Sequence, residues 1–356
     1  MSFMRRILGG NLDMRVGLAP CIAFAFAAFL AAAPISLAQE ADWSKVVAAA
    51  KSEGRLVFYN GGTIGVPRAV TKLFEKKYGI QVDVVEGLPS EIRERMRSER
   101  ASGRAIGDFH LAGAPTAAAE QIAGSYQPHG PLPLAVKLRE PFRDNGVVIP
   151  VSLSRFSVLI NTNLVKADDV PKSWMEFLEP KWRGKILISD PRIGGPAQGT
   201  FAVLYDVFGR EYLEKLALQN LVIEKDWRLA ERRTANGEYS VNFPFNLPDL
   251  NDLQGLPVQP IVPREGTPYN PTYVMMLKNA PHPNAARLFM NFWLDDEAQT
   301  VVSEYGQEST TGAPRSDKIP PAAIPVYQAK LMGTVDPDPA HIDKMVAMFK
   351  EILGVR

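Results

Sequence analysis

Apolar positions in the first third of the chain alternate between two spacings. Short stretches rich in apolar and β-branched residues, such as RLVFYN (55–60) and IQVDVV (80–85), are typical of short strands. Between them, apolar residues fall three and four apart, so that Val70, Leu73 and Phe74 share one side of a predicted helix. Strands that alternate with helices in this way predict a parallel sheet, in which ligands bind beyond the carboxyl ends of the strands.

A second series of the same kind lies between two proline-rich stretches, residues 128–150 and 256–271. Within it, KILISD (185–190) and EYSVNF (238–243) are strand-like and alternate with helical segments. The chain is therefore predicted to form a two-lobed α/β fold, in which each lobe is a mostly parallel sheet flanked by helices and two extended strands cross between the lobes. The predicted bounds are 39–149 for the first lobe, 150–262 for the inserted second lobe, and 263–356 for the return to the first lobe and the C-terminal helices.

Residues 1–38 have the pattern of a secretory signal peptide. Three arginines precede the apolar run VGLAPCIAFAFAAFLAAAPISLA, which ends in small residues at Ser36 and Ala38. This pattern predicts cleavage after Ala38 and export to the periplasm, whether translation starts at Met1 or at Met14. The alternative is an uncleaved membrane anchor, because the run approaches the ~20 residues that a spanning helix needs.

Charge and cysteine content narrow the classes of function. The chain has 40 Lys and Arg against 39 Asp and Glu. Without the leader, which carries three arginines and one aspartate, the counts are 37 and 38. A nucleic-acid-binding chain shows a basic excess, and this one does not. Cys21, the only cysteine, lies in the leader, so the mature chain has no thiolate for catalysis, a disulfide or a metal. We expect neither a cofactor nor a metal.

The sequence also lacks the motifs of common enzymes. GGPAQGT does not continue into the GK[ST] of a P-loop, and no GxGxxG, GxSxG, HExxH or paired-cysteine motif occurs. We therefore expect a binding protein and not an enzyme.

Glycine-rich loops at two predicted helix entrances are the first candidate ligand site. SDPRIGGPAQGT (189–200) precedes a helical stretch, and GGT (61–63) holds the same place in the first series. Glycine lets the backbone pass close to a ligand, and a helix N-terminus offers N–H donors that suit carboxylate, phosphate or phosphonate oxygens. An ordinary strand-to-helix turn is the alternative. The candidates are Gly62, Thr63, Gly194, Gly195, Gly199 and Thr200.

Side chains near the predicted crossings are further candidates. Arg155 stands in the otherwise apolar SLSRFSVLIN, and Arg192 stands in the glycine loop. Each arginine either forms a two-pronged contact with an acidic ligand or pairs with a carboxylate of the protein. Aromatic rings near a crossing either wall a ligand or pack a hinge. The candidates that follow a predicted strand or flank the return crossing are Asn242, Phe243, Tyr269 and Tyr273.

Several stretches together resemble the extracellular solute-binding proteins of bacterial ABC importers, in the branch that holds ferric-ion, phosphonate, sugar-phosphate, thiamine and polyamine binders. They are WSKVVAAAKSEGRLVFYN, VLINTNLV, PKSWMEFLEPKWRGKILISDP, NAPHPNAARLFMNFWLDDEAQ and GAPRSD. The resemblance implies a periplasmic monomer whose two lobes close on a small solute and deliver it to the transmembrane permease subunits of the importer. We expect the hinges near Pro150 and Pro260.

The resemblance leaves the ligand open. Ferric binders of this branch present adjacent tyrosines, and this chain has no Tyr-Tyr pair, which argues against the hard anionic oxygen set that ferric iron prefers. We expect a small anionic solute of the organic-acid, phosphonate or sugar-phosphate class. The alternatives are a ferric-ion or iron-chelate binder of the same fold and a ligand-sensing partner of a receptor.

Overall fold

The computed structural model describes residues 33–61, 65–87, 89–193, 195–313 and 315–354. Residues 1–32, and with them nearly all of the predicted leader, lie outside the described residues. Contacts separate Met1–Lys45 from Val46–Arg356, and the fold below is that of Val46–Arg356. Among the described residues, no helix has both the length and the apolar content needed to cross a bilayer.

The first series alternates strands and helices where the apolar spacing predicts them. In its second helix, Val66, Val70 and Phe74 are buried at i, i+4 and i+8, which is the spacing of one helix face. The elements are α1 (Ala33–Glu53), β1 (Arg55–Asn60), α2 (Gly65–Tyr78), β2 (Gln81–Glu86), α3 (Pro89–Ser102), β3 (Phe109–Gly113) and α4 (Ala114–Ile122).

The second series begins with a long strand. This strand, β4, is buried along nearly its whole length because other strands pair with it on both sides. The elements are β4 (Val148–Asn161), β5 (Ile186–Ser189), α5 (Gly195–Ala217), β6 (Val222–Glu224), α6 (Trp227–Ala235), β7 (Val241–Asn246) and β8 (Val258–Ile261). Helix α5 passes through non-helical backbone at Gly209.

The rest of the chain returns through a second long strand. Its elements are β9 (Thr267–Met276), α7 (Pro283–Phe292), α8 (Asp296–Glu304), β10 (Glu308–Ser309), α9 (Ile324–Gln328), β11 (Leu331–Gly333) and α10 (Pro339–Leu353). The proline-rich stretch 256–271, where the sequence predicts an extended crossing, forms β8 and the start of β9. Pro271 is tolerated in β9 because the pairing of β9 with β3 begins only at Thr272, so the missing N–H breaks no ladder on that side.

The strands form one continuous sheet in the order β2-β1-β3-β9-β4-β7-β5-β6, with β8 and β10 on β4 and β11 on β9. Pairing is parallel among β1, β2 and β3 and among β5, β6 and β7, as predicted. The long strands β4 and β9 pair antiparallel with each other, and β4 and β9 also pair antiparallel with β7 and β3, respectively, so the whole sheet is mixed. The fold is α/β, and β4 and β9 are the two strands that join the series.

Different apolar clusters cover the first and the second series. In the first, Phe58, Phe109 and Phe289 lie with ring centroids 4.7–5.7 Å apart. In the second, Trp174 packs at the edge of Phe243 at a centroid distance of 5.6 Å. The buried face of α10, formed by Met345, Met348 and Phe349 at i, i+3 and i+4, belongs to this second core. The C-terminal helix therefore packs on the second series.

Candidate ligand-binding site

A cavity of about 300 Å³, here called the central cavity, lies where the two series meet. Its walls come from the ends of β3 and β7, from the middle of β4 and β9, and from the starts of α3, α4 and α5. The strand ends are carboxyl ends, so the cavity occupies the place that ligands take in open α/β sheets.

Helix N-termini from both series face the central cavity. Gly113, Pro115 and Thr116 line it at the start of α4, whose first turn carries no side-chain cap. Gly195 and Gly199 line it at the start of α5. Gly195 has a φ of 76°, a conformation that favours glycine, so the loop closes tightly onto the helix. Backbone N–H groups in the first turn of a helix have no partner inside the helix, and they attract anions.

Paired positions on neighbouring strands form the floor of the central cavity. Ser154 of β4 lies opposite Asn270 of β9, and Phe156 of β4 lies opposite Asn246 of β7. A Cβ atom on Gly113 would lie 3.3 Å from Nδ2 of Asn270. This glycine therefore leaves room for a neutral amide donor beside the uncapped start of α4.

Two carboxyl groups behind the cavity wall orient Asn246. Its backbone N–H donates to Oε1 of Glu231 at 3.2 Å, and its Nδ2 donates to Oδ2 of Asp249 at 3.1 Å. Trp227 Nε1 donates to the same oxygen of Asp249 at 3.0 Å. Since Nδ2 is held by Asp249, Asn246 offers its carbonyl oxygen as an acceptor. Burial, and then the charge of Asp249, raises the pKa of Glu231 well above its usual range.

No charged side chain lines the central cavity in the described part of the chain. Its polar groups are neutral: hydroxyls, amides, one phenol and backbone N–H donors. Across the described ranges, no three His, Cys, Asp or Glu side chains are grouped so that they can hold a metal ion. Ferric iron prefers anionic oxygen ligands, and the wall of this cavity contains a single phenol, that of Tyr269.

The structure brings together three of the predicted site residues: Gly195, Gly199 and Tyr269 all line the central cavity. Tyr273 lines an adjoining cavity of about 390 Å³, here called the side cavity, and Tyr269 lines both cavities. The predictions for Gly62, Thr63 and Gly194 lie outside the described residues.

The two predicted arginines lie elsewhere, each held by protein groups. Arg155 is 3 % exposed and paired with Glu308. Its neighbours Ser154 and Phe156 line the cavity and Arg155 does not, since successive side chains along a strand point to opposite sides. Arg192 forms a two-pronged pair with Asp190, with N···O distances of 2.7 and 2.8 Å. Both arginines follow the alternative of pairing with a protein carboxylate or carbonyl group, and we leave them out of the proposed site.

Thr200, Asn242 and Phe243 are fully buried and are not among the residues that line the cavity. Thr200 shares the core face of α5 with Ala197 and Phe201 at i−3 and i+1. Asn242 lies between β4 and β5 and donates to the carbonyl oxygen of Leu187 at 3.2 Å. The sequence predicts that Asn242 and Phe243 follow this strand, but both lie within β7, and the strand end that reaches the cavity is Asn246.

Sequence reasoning missed most of the polar wall: Thr116, Ser154, Asn246 and Asn270. A signal for the first existed, because AGAPT (112–116) follows a predicted strand and opens a predicted helix, as the glycine loop at 189–200 does. Ser154 and Asn270 carry no such signal, since their place depends on the pairing of β4 with β9 across more than a hundred residues of sequence.

Comparison with known proteins finds relatives that are similar to this chain in sequence. A protein of Haemophilus influenzae with no assigned function is 26% identical over 336 residues, which are 89% of this chain and 96% of that protein. A proposed 2-aminoethylphosphonate-binding periplasmic protein of Salmonella typhimurium is 28% identical over 254 residues, 65% of this chain and 69% of that protein.

Solved structures share the fold. Iron-bound HitA from Pseudomonas aeruginosa has a TM-score of 0.67 at 20% identity and covers 84% of this chain and 99% of its own. AfuA from Actinobacillus pleuropneumoniae with bound fructose-6-phosphate has a TM-score of 0.66 at 23% identity, with 84% and 98% covered. Residues 116–324, more than half of the chain, match the family model of bacterial extracellular solute-binding proteins. This chain belongs to that family, whose members capture small solutes for ABC importers.

Proposed function

We propose that this protein captures a small organic anion of the phosphonate, sugar-phosphate or organic-acid class in the central cavity and delivers it to an ABC permease. The observation that carries the proposal is the wall of that cavity, which combines two helix N-termini with neutral donors and no charged side chain in its described part. Backbone N–H groups bind phosphate and carboxylate oxygens without a cationic side chain. The two families of ligand named in the relatives, a phosphonate and a sugar phosphate, both have such oxygens.

The proposed mechanism is closure of two lobes around the solute. The central cavity takes part of its wall from each series, so a bound anion gains both sets of contacts only when the lobes are close together. We place the first lobe at 39–149 and the second lobe at 150–262, and the chain returns to the first lobe from residue 263. Helix α10 packs on the second lobe and is expected to move with it. The hinges then lie in or beside β4 and β9, close to Pro150 and Pro260.

The direct test is isothermal titration calorimetry of residues 39–356, which is the chain without its predicted leader. The probes are methylphosphonate, 2-aminoethylphosphonate, fructose-6-phosphate, citrate and ferric chloride in a non-coordinating buffer at acid pH. We expect at least one organic anion to bind and ferric ion alone not to bind. Saturation at 100 times the dissociation constant also raises the free energy of unfolding by ~2.7 kcal/mol, which a thermal shift detects.

A substitution at Gly199 tests whether the anion binds at the start of α5. A Cβ atom there meets only Cγ1 of Val335, at 3.8 Å, so a side chain at this position enters the cavity without displacing backbone. Gly199→Leu should keep or raise thermal stability, since leucine favours a helix more than glycine does, and should weaken binding of the best probe at least tenfold. Val207→Leu, at an exposed position of the same helix, is the matched control.

Two results would contradict the proposal. One is unchanged affinity in Gly199→Leu, which would remove the start of α5 from the site. The other is binding of ferric ion with no binding of any organic anion, which would favour a metal carrier. Lobe closure has its own readout, since the radius of gyration in small-angle scattering should fall when the bound probe saturates the protein.

A further inference from the structure

The side cavity adjoins the central cavity along three elements. Tyr269 lines both, Thr334 of the side cavity is followed by Val335 of the central cavity, and Ala114 of the side cavity is followed by Pro115 of the central cavity. The two cavities are of similar size, at about 390 Å³ and about 300 Å³. Space for a ligand therefore continues past the phenol ring of Tyr269.

The walls of the side cavity differ in chemistry from those of the central cavity. Phe142, Tyr269 and Tyr273 supply aromatic surface, and the ring of Phe142 stands edge-on to the ring of Tyr269 at a centroid distance of 6.2 Å. The alanines of α4 that line the cavity, Ala117 among them, present a narrow apolar face. The aromatic part of this wall suits a flat ring, because aromatic side chains pack well against ring faces and edges. The rest of the wall is partly polar, since Gln121, Arg143, Asn145 and Thr334 also line the side cavity.

The hydroxyl groups of Tyr269 and Tyr273 are without a hydrogen-bond partner among the described residues. The two residues are four apart on β9, so their side chains leave the same face of the strand. Burial raises the pKa of both phenols, that of Tyr273 to about 12, so both stay neutral and can donate a hydrogen bond.

Tyr269 and Tyr273 are only partly buried, and the buried tyrosines of this chain behave differently. Each of them spends its hydroxyl on a protein group: Tyr59 on Glu99, Tyr126 on His110, Tyr212 on the Trp174 carbonyl and Tyr327 on the Gly306 carbonyl. Buried polar groups are almost always paired. The two phenols in the side cavity are therefore available to a ligand in a way that the structural tyrosines are not.

We propose that the solute is bipartite: its anionic head binds in the central cavity, and a ring-sized, largely apolar body extends past Tyr269 into the side cavity. The phenols of Tyr269 and Tyr273 hydrogen-bond to polar atoms on the edge of that ring. This inference rests on the proposed function, because it assumes the anionic head, and it adds the class of the remainder: an aromatic or similarly flat ring attached to a phosphonate, phosphate or carboxylate.

The test compares a head alone with the same head carrying a ring. Methylphosphonate and benzylphosphonate are titrated into the chain without its leader by isothermal calorimetry. We expect benzylphosphonate to bind at least tenfold more tightly, which is ~1.4 kcal/mol. Because an apolar surface alone gives some gain, 2-hydroxybenzylphosphonate is a third probe, and its ring hydroxyl should improve affinity further only while the tyrosine hydroxyls are present.

Three variants assign the gain to the side cavity. Gln121→Trp places a large side chain at the exposed rim of the side cavity, and Ile122→Trp adds the same bulk at the next position, which lines neither cavity. Gln121→Trp should remove the advantage of benzylphosphonate and leave methylphosphonate affinity unchanged, and Ile122→Trp should change neither. Tyr273→Phe, which keeps the ring and loses the hydroxyl, should cancel the effect of the ring hydroxyl alone.

The outcomes separate the two proposals. Equal affinity for methylphosphonate and benzylphosphonate, or an advantage that survives Gln121→Trp, would overturn the bipartite ligand while the anion site stands. Failure of both phosphonates and of every other organic anion would refute the proposed function, and this inference with it.

Discussion

Removing the guanidinium of Arg155 should destabilise the fold and leave ligand affinity unchanged. Arg155 is 3 % exposed, pairs through Nε with Glu308, and donates from Nη1 to the Ala329 carbonyl at 2.8 Å and from Nη2 to the Tyr327 carbonyl at 3.1 Å. A third donation, from Nη1, reaches Oγ1 of Thr267 at 3.1 Å. Arg155→Met keeps most of the side-chain volume and removes all four of these donations, although Glu308 keeps Arg139 and the Tyr327 carbonyl keeps Arg315 as a donor.

The loss in the free energy of unfolding depends on the carboxylate of Glu308, which stays buried after Arg155 is replaced. Breaking a buried ion pair by removing one partner costs about 3–5 kcal/mol. Glu308 keeps a second arginine, Arg139, so we expect a loss at the lower end, about 3 kcal/mol. For a chain of this size, that loss lowers the melting temperature by roughly 4–5 °C.

The assay pairs urea unfolding, followed by circular dichroism, with calorimetric titration of the best organic-anion probe. Arg97→Met, which breaks an exposed pair with Glu94, is the matched control and should change neither measurement. Arg155→Lys should recover only part of the stability, since an ammonium group cannot reproduce the planar donor set. A variant Arg155→Met that unfolds like the wild type, or that binds the probe at least tenfold more weakly at full stability, would refute this reasoning.

Two further predictions concern pH. Burial lowers the pKa of His110 from 6.5 to about 4, so below pH 6.5 the unfolded chain takes up a proton that the folded chain does not. The free energy of unfolding should therefore fall by about 3 kcal/mol between pH 6.5 and pH 4 relative to a His110→Met variant, and parallel pH profiles of the two proteins would disprove it. The pKa of Glu231 is raised in the folded chain, so Glu231 adds to the free energy of unfolding at pH values below its pKa in the unfolded chain. This stabilisation is lost as the pH rises through the pKa of the folded chain. Glu231→Gln should accordingly raise the melting temperature at neutral pH more than at pH 4, while an equal effect at both pH values would show that the carboxyl is already ionised in the fold.

Family and local structure follow from the sequence. The apolar spacing places the strands and helices of both series, because a buried strand or an amphipathic helix needs its apolar residues at fixed local intervals. The stretches that resemble solute-binding proteins extend over most of the chain, and the family model confirms the family. The loop at residues 189–200 could be identified as a helix entrance because glycine and proline act locally, and two of its glycines, Gly195 and Gly199, do line the cavity.

The tertiary structure alone decided which side chains form the site. Arg155 and Ser154 are adjacent in sequence, yet only the serine lines the cavity, because Glu308 and the carbonyl groups of Tyr327 and Ala329 hold the Arg155 guanidinium. The pairing of β4 with β9 brings Asn270 opposite Ser154. Strand β7 is longer than predicted, so Asn246 at its end lines the cavity and Phe243 does not. Local periodicity encodes the alternation of a strand, but the choice of face and partner is made by contacts between residues far apart in the chain.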